Sequence, residues 1–445
     1  MISKFAHLID LGSGVTALWN SLWLRTVFLS EPMTSLVRQM VQESRCPEGS
    51  ARAELVSDQR LQELMVALEE EHFLSPQEDD KKVAELRGLL EQEPIGLMYL
   101  IMTDTCNLAC NYCYLSGLLQ TPHVAMKMSR ETIQKAVDLY KVVLDGSGMP
   151  PLIILYGGEP LVNKEGVFFA VEYASQQLPG VKFILITNGT LVDEEVAVFL
   201  AKYGVSVGLS VDGPPEIHDR NRVTRQGKGT FEAVALAHQR LKNAKASVGL
   251  SCTITMDNVR ELDGQLAWFL HDFGASEVDY NILLGGEHIE EDYPELAARA
   301  LIKCYELARG EGLTIGRMTR KVDPFAEGRF LLNDCGGCGK QLVITPDERI
   351  GICQAFLNSG EFFYPLQEVT DPRTHPLWNA WKQRSPLNIS GCLACEAFGV
   401  CGGGCFYGPY MQHGTIMEAD PVHCVHAKET LRFLLADMWK DMERV

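Results

Sequence analysis

Between residues 97 and 284 the sequence alternates short apolar runs with helical patterns, and this alternation constrains the fold more than any other feature. The six apolar runs are Leu97–Thr103, Leu152–Tyr156, Lys182–Thr187, Val205–Val211, Ser247–Thr255 and Val278–Leu284. Helical patterns separate them at Arg130–Leu144, Lys164–Gln177, Glu194–Lys202, Thr230–Asn243 and Val259–Phe273. Six β-α repeats predict an α/β fold with a parallel sheet, open or curled into a partial (β/α)6 barrel. In such sheets the chemistry lies at the carboxyl ends of the strands.

Two regions of different character flank this alternation. Residues 1–95 carry apolar runs at Phe5–Leu11 and Val15–Ser30 around a Gly12-Ser13-Gly14 turn. Helical patterns follow at Thr34–Ser44, Asp58–Phe73 and Asp79–Gln92, with Asp58 and Ser75 at cap positions. The region therefore predicts a three-stranded sheet with three helices, a winged-helix-like α+β module. Residues 321–445 are dense in Gly and Cys, which predicts a loop-rich domain held by metal and leaves 96–320 as the barrel.

The charge balance excludes several classes of partner. Forty basic and 58 acidic residues give a net charge of −18, which repels phosphate backbones and anionic lipid surfaces. Residues 54–93 hold twelve acidic and four basic side chains, which disfavours a DNA-binding helix-turn-helix in the first module. The stretch Leu11–Leu24 is too short and too polar to span a bilayer, and no secretory signal is visible. We expect a cytoplasmic protein whose fourteen cysteines are reduced.

Three of these cysteines, Cys106, Cys110 and Cys113, follow the first apolar run of the barrel region at a Cys-x3-Cys-x2-Cys spacing. Three thiolates on one loop can bind three irons of a cubane cluster and leave the fourth iron open. Structural zinc is the alternative, but it requires a fourth protein ligand.

With Tyr112 before the last cysteine, this triplet resembles the motif of the radical S-adenosylmethionine (SAM) superfamily. Further motifs agree with the resemblance: Gly157-Gly158-Glu159-Pro160 follows the second run, and Asn188, Ser210 and Asp212 lie at the ends of the third and fourth. The resemblance implies that these residues, with Arg222, contact SAM. It also implies that an electron from a [4Fe-4S] cluster cleaves SAM to a 5′-deoxyadenosyl radical, which abstracts hydrogen from a C–H bond.

Eight cysteines of the last region resemble the SPASM domain, which binds two auxiliary [4Fe-4S] clusters, giving three clusters in all. The resemblance assigns one set to Cys335, Cys338, Cys353 and Cys405, and a second to Cys392, Cys395, Cys401 and Cys424. If all eight ligate, neither auxiliary cluster keeps an open iron. A zinc ribbon on Cys392, Cys395, Cys401 and Cys405 is the alternative and leaves four cysteines unexplained.

Three other cysteines and one turn fall outside these assignments. We expect Cys46, Cys252 and Cys304 to be inert buried thiols. The SPASM pattern usually has Gly in a turn where this chain reads Pro346-Asp347-Glu348, so we expect that hairpin to adopt another geometry.

The order of module, barrel and SPASM region resembles maturases of ribosomally made peptides. This resemblance implies a precursor peptide as substrate, with its leader bound by the first module, a flavodoxin or ferredoxin as reductant, and a thioether as the favoured product. Carbon–carbon or carbon–oxygen crosslinking remains open. So does formylglycine formation by a sulfatase maturase, although those enzymes carry Asp where this chain has Gln354. A non-enzymatic electron carrier is disfavoured because the triplet and Gly157-Gly158-Glu159 are intact. No motif names a general base, and Glu287, His288, Glu290 and Glu291 are predicted to lie in a solvated loop.

Overall fold

The computed structural model describes residues 2–12, 14–45, 59–117, 124–284 and 289–443. Five residues named above, Ser13, Cys46, Asp58, Glu287 and His288, lie outside these ranges. The chain forms two compact units. The first comprises Met1–Gln92, Thr319–Cys335 and Arg384–Val445, and the second comprises Glu93–Met318 and Gly336–Gln383.

The second unit is built on a parallel sheet, which confirms the predicted α/β fold. Its six parallel strands run in chain order, each bonded to the next: β4 (Leu97–Ile101), β5 (Leu152–Tyr156), β6 (Lys182–Thr187), β7 (Ser206–Ser210), β8 (Val248–Ile254) and β9 (Val278–Ile282). Strand side chains such as Leu100, Leu155 and Leu185 are completely buried, and each contributes about 1.5–3 kcal/mol by leaving water. All six carboxyl ends meet at one edge because the strands are parallel.

Helices follow these strands, five at positions that the sequence indicates and two, Pro215–Asn221 and Tyr293–Gly310, that the sequence analysis did not predict. They are α4 (Arg130–Leu144), α5 (Lys164–Gln177), α6 (Glu194–Lys202), α7 (Pro215–Asn221), α8 (Phe231–Asn243), α9 (Leu262–His271) and α10 (Tyr293–Gly310). Short 3-10 turns at Pro160–Asn163 and Val259–Glu261 precede α5 and α9. Side-chain caps fix two of the helix starts: Ser129 Oγ accepts from Thr132 N at 3.0 Å, and Asp193 Oδ1 accepts from Val196 N at 2.8 Å.

Three further strands extend this sheet beyond the sequence prediction. They are β10 (Gln341–Ile344), β11 (Arg349–Gly351) and β12 (Phe363–Pro365), and β10 pairs parallel with β4. The hairpin between β10 and β11 corrects an expectation. Glu348 has φ 55°, in the left-handed region that favours glycine, so the turn keeps a glycine-like geometry instead of adopting another. The Glu348 carboxylate accepts from Lys135 Nζ at 3.0 Å, which holds the turn against α4.

The first unit begins with the α+β arrangement that the sequence predicts. An antiparallel sheet of β1 (Ala6–Asp10), β2 (Val15–Asn20) and β3 (Arg25–Ser30) is followed by α1 (Glu31–Arg45), α2 (Gln59–Glu70) and α3 (Pro76–Gln92). One buried cluster joins the sheet to α1 and α2, with Leu18, Leu68 and Phe73 fully buried. Winged-helix character remains a prediction, as do the domain boundaries at 95 and 320.

The cysteine-rich region is divided: its part from Arg384 onwards belongs to the same unit, whereas Gly336–Gln383 belongs to the second unit. Its helices are α13 (Phe398–Cys401), α14 (Tyr407–His413) and α15 (Pro421–Glu443), while α11 (Gly316–Ala326) and α12 (Pro376–Lys382) precede them. Further 3-10 turns lie at Gln354–Leu357, Leu366–Glu368 and Cys392–Ala394. A second core joins Trp19 of the sheet to Phe398 and Leu431, and Trp19 Nε1 donates to the Glu396 carbonyl at 2.8 Å. In the described ranges, no helix is both long enough and apolar enough to cross a membrane.

Candidate functional site

A cavity of about 450 Å³ opens at the carboxyl edge of the parallel sheet in the second unit. Its wall includes ten of the eleven residues that the sequence assigns to the SAM cluster and SAM: Cys106, Cys110, Tyr112, Cys113, Gly157, Gly158, Glu159, Asn188, Ser210 and Arg222. Asp212 is completely buried and does not line the cavity. The fold thus gathers residues from four strand ends around one space.

The cysteine triplet lies on the loop after β4, and backbone hydrogen bonds fix this loop. Ala109 N donates to the Val223 carbonyl at 2.8 Å, and Asn111 N donates to the Asn221 carbonyl at 3.0 Å. Burial, with a smaller contribution from neighbouring thiols, raises the pKa of Cys106 to about 12. Burial raises that of Cys110 to about 11, although the Arg222 charge opposes the rise. The thiols therefore stay protonated at neutral pH, and ligation of a cation would release their protons.

The Gly157-Gly158 turn passes directly behind this loop and has no room for side chains. Gly157 has φ 143°, and a Cβ there would lie 2.4 Å from the Thr103 carbonyl oxygen. A Cβ on Gly158 would lie 2.2 Å from the Thr105 carbonyl oxygen. Only glycine permits this close approach, and the backbone of the turn becomes part of the cavity wall.

Glu159 holds the next strand end in place. Its carboxylate accepts from Thr187 Oγ1 at 2.7 Å, from Asn188 N at 2.7 Å and from Leu161 N at 3.0 Å. Burial raises its pKa, although these three donors oppose the rise. Asn188 in turn donates from Nδ2 to Asn107 Oδ1 at 2.9 Å, which ties this strand end to the cysteine loop. Glu159 is therefore a positioning residue as well as part of the wall.

Asp212 orients two wall residues from behind. It accepts from Tyr112 Oη at 2.6 Å, and from Arg222 Nε and Nη2 at 2.9 and 3.1 Å. Thr253 N donates to the same carboxylate at 3.1 Å. The Arg222 guanidinium also lies 5.5 Å from the centre of the Tyr112 ring. This bidentate pair keeps a positive charge on the cavity wall, suited to a carboxylate ligand.

Several wall residues have no counterpart in the sequence prediction. They are Tyr99, Tyr114, Tyr156, Ser251, Thr253, Asn281 and Arg317, whereas Gln354, also in the wall, is the position where the sequence departs from the sulfatase maturases. Ser251, Thr253 and Asn281 lie on β8 and β9, so their position near strand ends could have indicated them. Tyr114 and Tyr156 share a 2.9 Å hydrogen bond between their hydroxyls. Arg317, on α11, gives no sequence signal.

In the first unit the structure brings together the second predicted auxiliary set, Cys392, Cys395, Cys401 and Cys424. Burial raises the pKa of Cys424 to about 12. The other three thiols contribute to this rise because all four are close neighbours. Lys321, itself buried, donates to the Cys401 carbonyl at 3.0 Å and to Asp334 Oδ1 at 3.1 Å. Four neighbouring thiols, of which Cys401 is buried and the other three are partly exposed, fit the donor set of an iron–sulfur cluster.

The other predicted auxiliary set is divided between the units. Cys335 and Cys405 belong to the first unit, where the Cys335 thiol lies close enough to raise the pKa of Cys405. Cys338 and Cys353 belong to the second unit. Within the described ranges, no three His, Cys, Asp or Glu side chains are arranged to hold a single metal ion. A cubane cluster binds each thiolate on a different iron, so its ligands need not converge on one point.

The remaining predicted residues take no part in these sites. Cys252 and Cys304 are completely buried, and burial raises the pKa of Cys304 to about 12, in keeping with inert thiols. Glu290 and Glu291 are exposed, as expected for a solvated loop.

Comparison with known proteins identifies the region that carries the cavity. The model of the Radical SAM superfamily matches residues 100–269. The radical SAM cyclopropyl synthase TigE of Paramaledivibacter caminithermalis is 21% identical over 370 residues, covering 77% of this chain and 74% of that protein. The cysteine-type anaerobic sulfatase-maturating enzyme of Clostridium perfringens is 27% identical over 347 residues, which cover 70% of this chain and 89% of that protein.

One solved structure has a similar fold over nearly the whole chain. Streptococcus suis SuiB bound to its precursor peptide SuiA matches with a TM-score of 0.54 and 14% identity. The match covers 95% of this chain and 99% of SuiB. At this identity the match supports the fold.

Proposed function

We propose that this chain, an enzyme with a radical SAM domain and hence with a [4Fe-4S] cluster and SAM, modifies a ribosomally made peptide. The observation that carries the proposal is the convergence of the cysteine triplet, the Gly157-Gly158 turn and Arg222 on one cavity. When bound, the cluster and SAM supply a 5′-deoxyadenosyl radical. Cys106, Cys110 and Cys113 would hold the cluster.

The remaining wall residues would bind and orient SAM. Arg222, held by Asp212, would pair with the SAM carboxylate, and the backbone carbonyls of Gly157-Gly158 in the cavity wall would accept from the SAM amino group. Asn188, fixed by Glu159, and Ser210 would contact the ribose. Tyr112, half-buried and hydrogen-bonded to Asp212, supports this arrangement from the cysteine loop. Enclosing SAM in this way excludes water and holds one substrate C–H bond near the reactive carbon.

The proposed reaction joins a Cys sulfur of the peptide to a carbon. Thioether formation removes one hydrogen atom from the carbon as 5′-deoxyadenosine and one proton from the thiol. It leaves one electron, which an iron–sulfur acceptor takes up. The eight auxiliary cysteines would hold two such clusters, giving three in the enzyme, with an external flavodoxin or ferredoxin as the source of the reducing electron. We place the enzyme in the cytoplasm, where these thiols stay reduced.

The first module would bind the leader of the precursor. Support comes from SuiB, which was solved with its precursor peptide and whose fold match extends over 95% of this chain. The sheet order β1-β2-β3 leaves β1 and β3 as edge strands, and an extended peptide can add to an edge strand by backbone hydrogen bonds.

Two relatives support different products. The cyclopropyl synthase TigE favours carbon–carbon bond formation as a second candidate. The sulfatase-maturating relative keeps formylglycine formation as a third.

One experiment separates these candidates. The reconstituted enzyme is incubated anaerobically with SAM, dithionite and full-length Cys-containing peptides encoded beside its gene. Thioether formation predicts loss of two hydrogens and of one alkylatable thiol. Carbon–carbon bonding predicts the same mass loss with every thiol retained, and formylglycine formation predicts an aldehyde in place of one thiol. The same peptides with Cys replaced by Ala are the control. Deoxyadenosine production without change in any peptide would contradict the proposal.

A further inference from the structure

Arg384 is a buried cation beside the auxiliary cysteines of the first unit. Its side chain is completely inaccessible to solvent. Its Nη1 donates to the carbonyls of Ile416 and Glu418, the latter at 3.1 Å. Its Nη2 donates to the carbonyls of Gly403 and Cys405, both at 2.9 Å. Four carbonyl dipoles surround this guanidinium.

The charge of Arg384 has no carboxylate partner among the described residues. The other buried cation of this unit, Lys321, is paired with Asp334. Arg384 Nε, moreover, is buried without any hydrogen-bond partner. Burying a full charge is costly unless an opposite charge compensates it, and carbonyl dipoles compensate only in part. The guanidinium lies 5.9 Å from the centre of the Phe406 ring, but no opposite charge among the described residues faces it and its Nε–H group has no partner.

The position of Arg384 indicates what compensates it. Burial raises the pKa of Cys392 to about 11 and that of Cys405 to about 12. The Arg384 guanidinium opposes both rises, so it lies within electrostatic reach of both thiols. Cys392 belongs to one predicted auxiliary set and Cys405 to the other. A cubane cluster on four thiolates carries about two negative charges when oxidised and one more when reduced.

We propose that Arg384 is the buried counter-cation of the auxiliary clusters and raises their reduction potentials. This inference rests on the proposed auxiliary clusters. A nearby positive charge stabilises the more negative, reduced cluster, so [4Fe-4S]²⁺ accepts one electron more readily. Arg384 would thus help the clusters to accept the electron that crosslinking leaves behind.

The test uses the full-length chain with Cys106, Cys110 and Cys113 changed to Ala, so that only auxiliary clusters contribute signal. This parent is reconstituted anaerobically, and its midpoint potentials are measured by EPR-monitored titration. Three single substitutions are then made in this parent. R384M removes the buried charge, R384K keeps it, and R432M removes an exposed charge of the same unit.

At a fixed applied potential, R384M should shift the ratio of oxidised to reduced cluster at least tenfold towards oxidised. This shift corresponds to a fall of about 59 mV in the midpoint potential for one electron. R384K should stay within threefold of the parent, and R432M should match it. Failure of R384M alone to take up iron would also support a required charge.

Three results would overturn the inference. The first is that the midpoint potentials of R384M equal those of the parent. The second is that R384K and R384M shift the potentials equally, and the third is that both variants lose iron equally. Either of the last two would mean that Arg384 only holds the carbonyls in place. If the parent itself bound no iron, the auxiliary-cluster proposal would fail instead.

Discussion

The two cysteine regions of the molecule are held in place in different ways. The triplet Cys106–Cys113 follows a strand of a nine-stranded sheet and is fixed by backbone hydrogen bonds. Three cysteines of the second auxiliary set, Cys392, Cys395 and Cys401, lie in short turns or at the end of α13, which has only four residues, and the fourth lies on the long helix α15. Gly402, Gly403 and Gly404 after α13 have φ of 71°, 83° and 64°. The sheet can hold the first site without its ligand, whereas most of the second set lies in segments with little regular structure.

Paired cysteine variants should show this difference most strongly. C401A should remove one auxiliary cluster and lower the free energy of unfolding of the first unit by on the order of 10 kcal/mol, the scale at which structural metals drive folding. C106A should abolish SAM cleavage yet leave the second unit within about 2 kcal/mol of wild type, because the sheet holds the loop. Hydrogen exchange of the reconstituted proteins, read separately in the two units, measures both effects.

The metal-free protein is the control for this pair. There C401A and C106A should both be mild, since no cluster remains to be lost. Equal destabilisation of both units by their own cysteine variants in the loaded protein would mean that the two regions are not held differently.

Removing the charge behind the SAM cavity should have the next largest effect. Asp212 is the carboxylate partner of the buried Arg222, so D212N leaves that guanidinium uncompensated. We expect a loss of about 3–5 kcal/mol in the stability of the second unit. Urea unfolding measures this loss. D257N, at an exposed pair with Arg220, is the control and should cost less than about 1 kcal/mol.

The barrel region should also weaken in mild acid. Burial, with a smaller contribution from the Arg222 charge, lowers the pKa of His218 to about 4 from its ordinary 6.5. Because the unfolded chain binds more protons between these two values, stability falls as pH drops from about 6.5 to about 4, by about 3 kcal/mol from this group. H218Q should flatten this slope in urea titrations of the second unit, whereas H271Q, at an exposed position, should not.

The smallest effect concerns the turn behind the cysteine loop. A methyl group on Gly158 meets the Thr105 carbonyl, so G158A must displace the backbone, which costs about 2 kcal/mol. Calorimetry should show SAM binding weakened by on the order of 30-fold. On α9, Gly264 has open space around it, so G264A should leave SAM affinity unchanged and stabilise the helix by about 1 kcal/mol. Normal SAM binding in G158A would show that the turn does not shape the site.

Sequence periodicity predicted the barrel region well because β4–β9 are buried strands separated by amphipathic helices. It missed β10–β12, since strands of three or four residues such as Arg349–Gly351 are too short to show a period. The motifs indicated the wall residues, but they could not separate those that face the cavity from Asp212, which acts from behind. Arg384 gave no signal at all, because a single basic residue in an irregular segment has no pattern to read.

The cysteine loop and the glycine turn together form the proposed site for radical cleavage of SAM. The most direct measurement incubates the reconstituted wild-type protein anaerobically with SAM and dithionite and detects 5′-deoxyadenosine by mass spectrometry, beside the variant in which Cys106, Cys110 and Cys113 are Ala. We predict deoxyadenosine from the wild type, with about twelve irons bound, and none from the variant, with about eight. Equal deoxyadenosine from both, or none from a fully loaded wild type, would contradict the account.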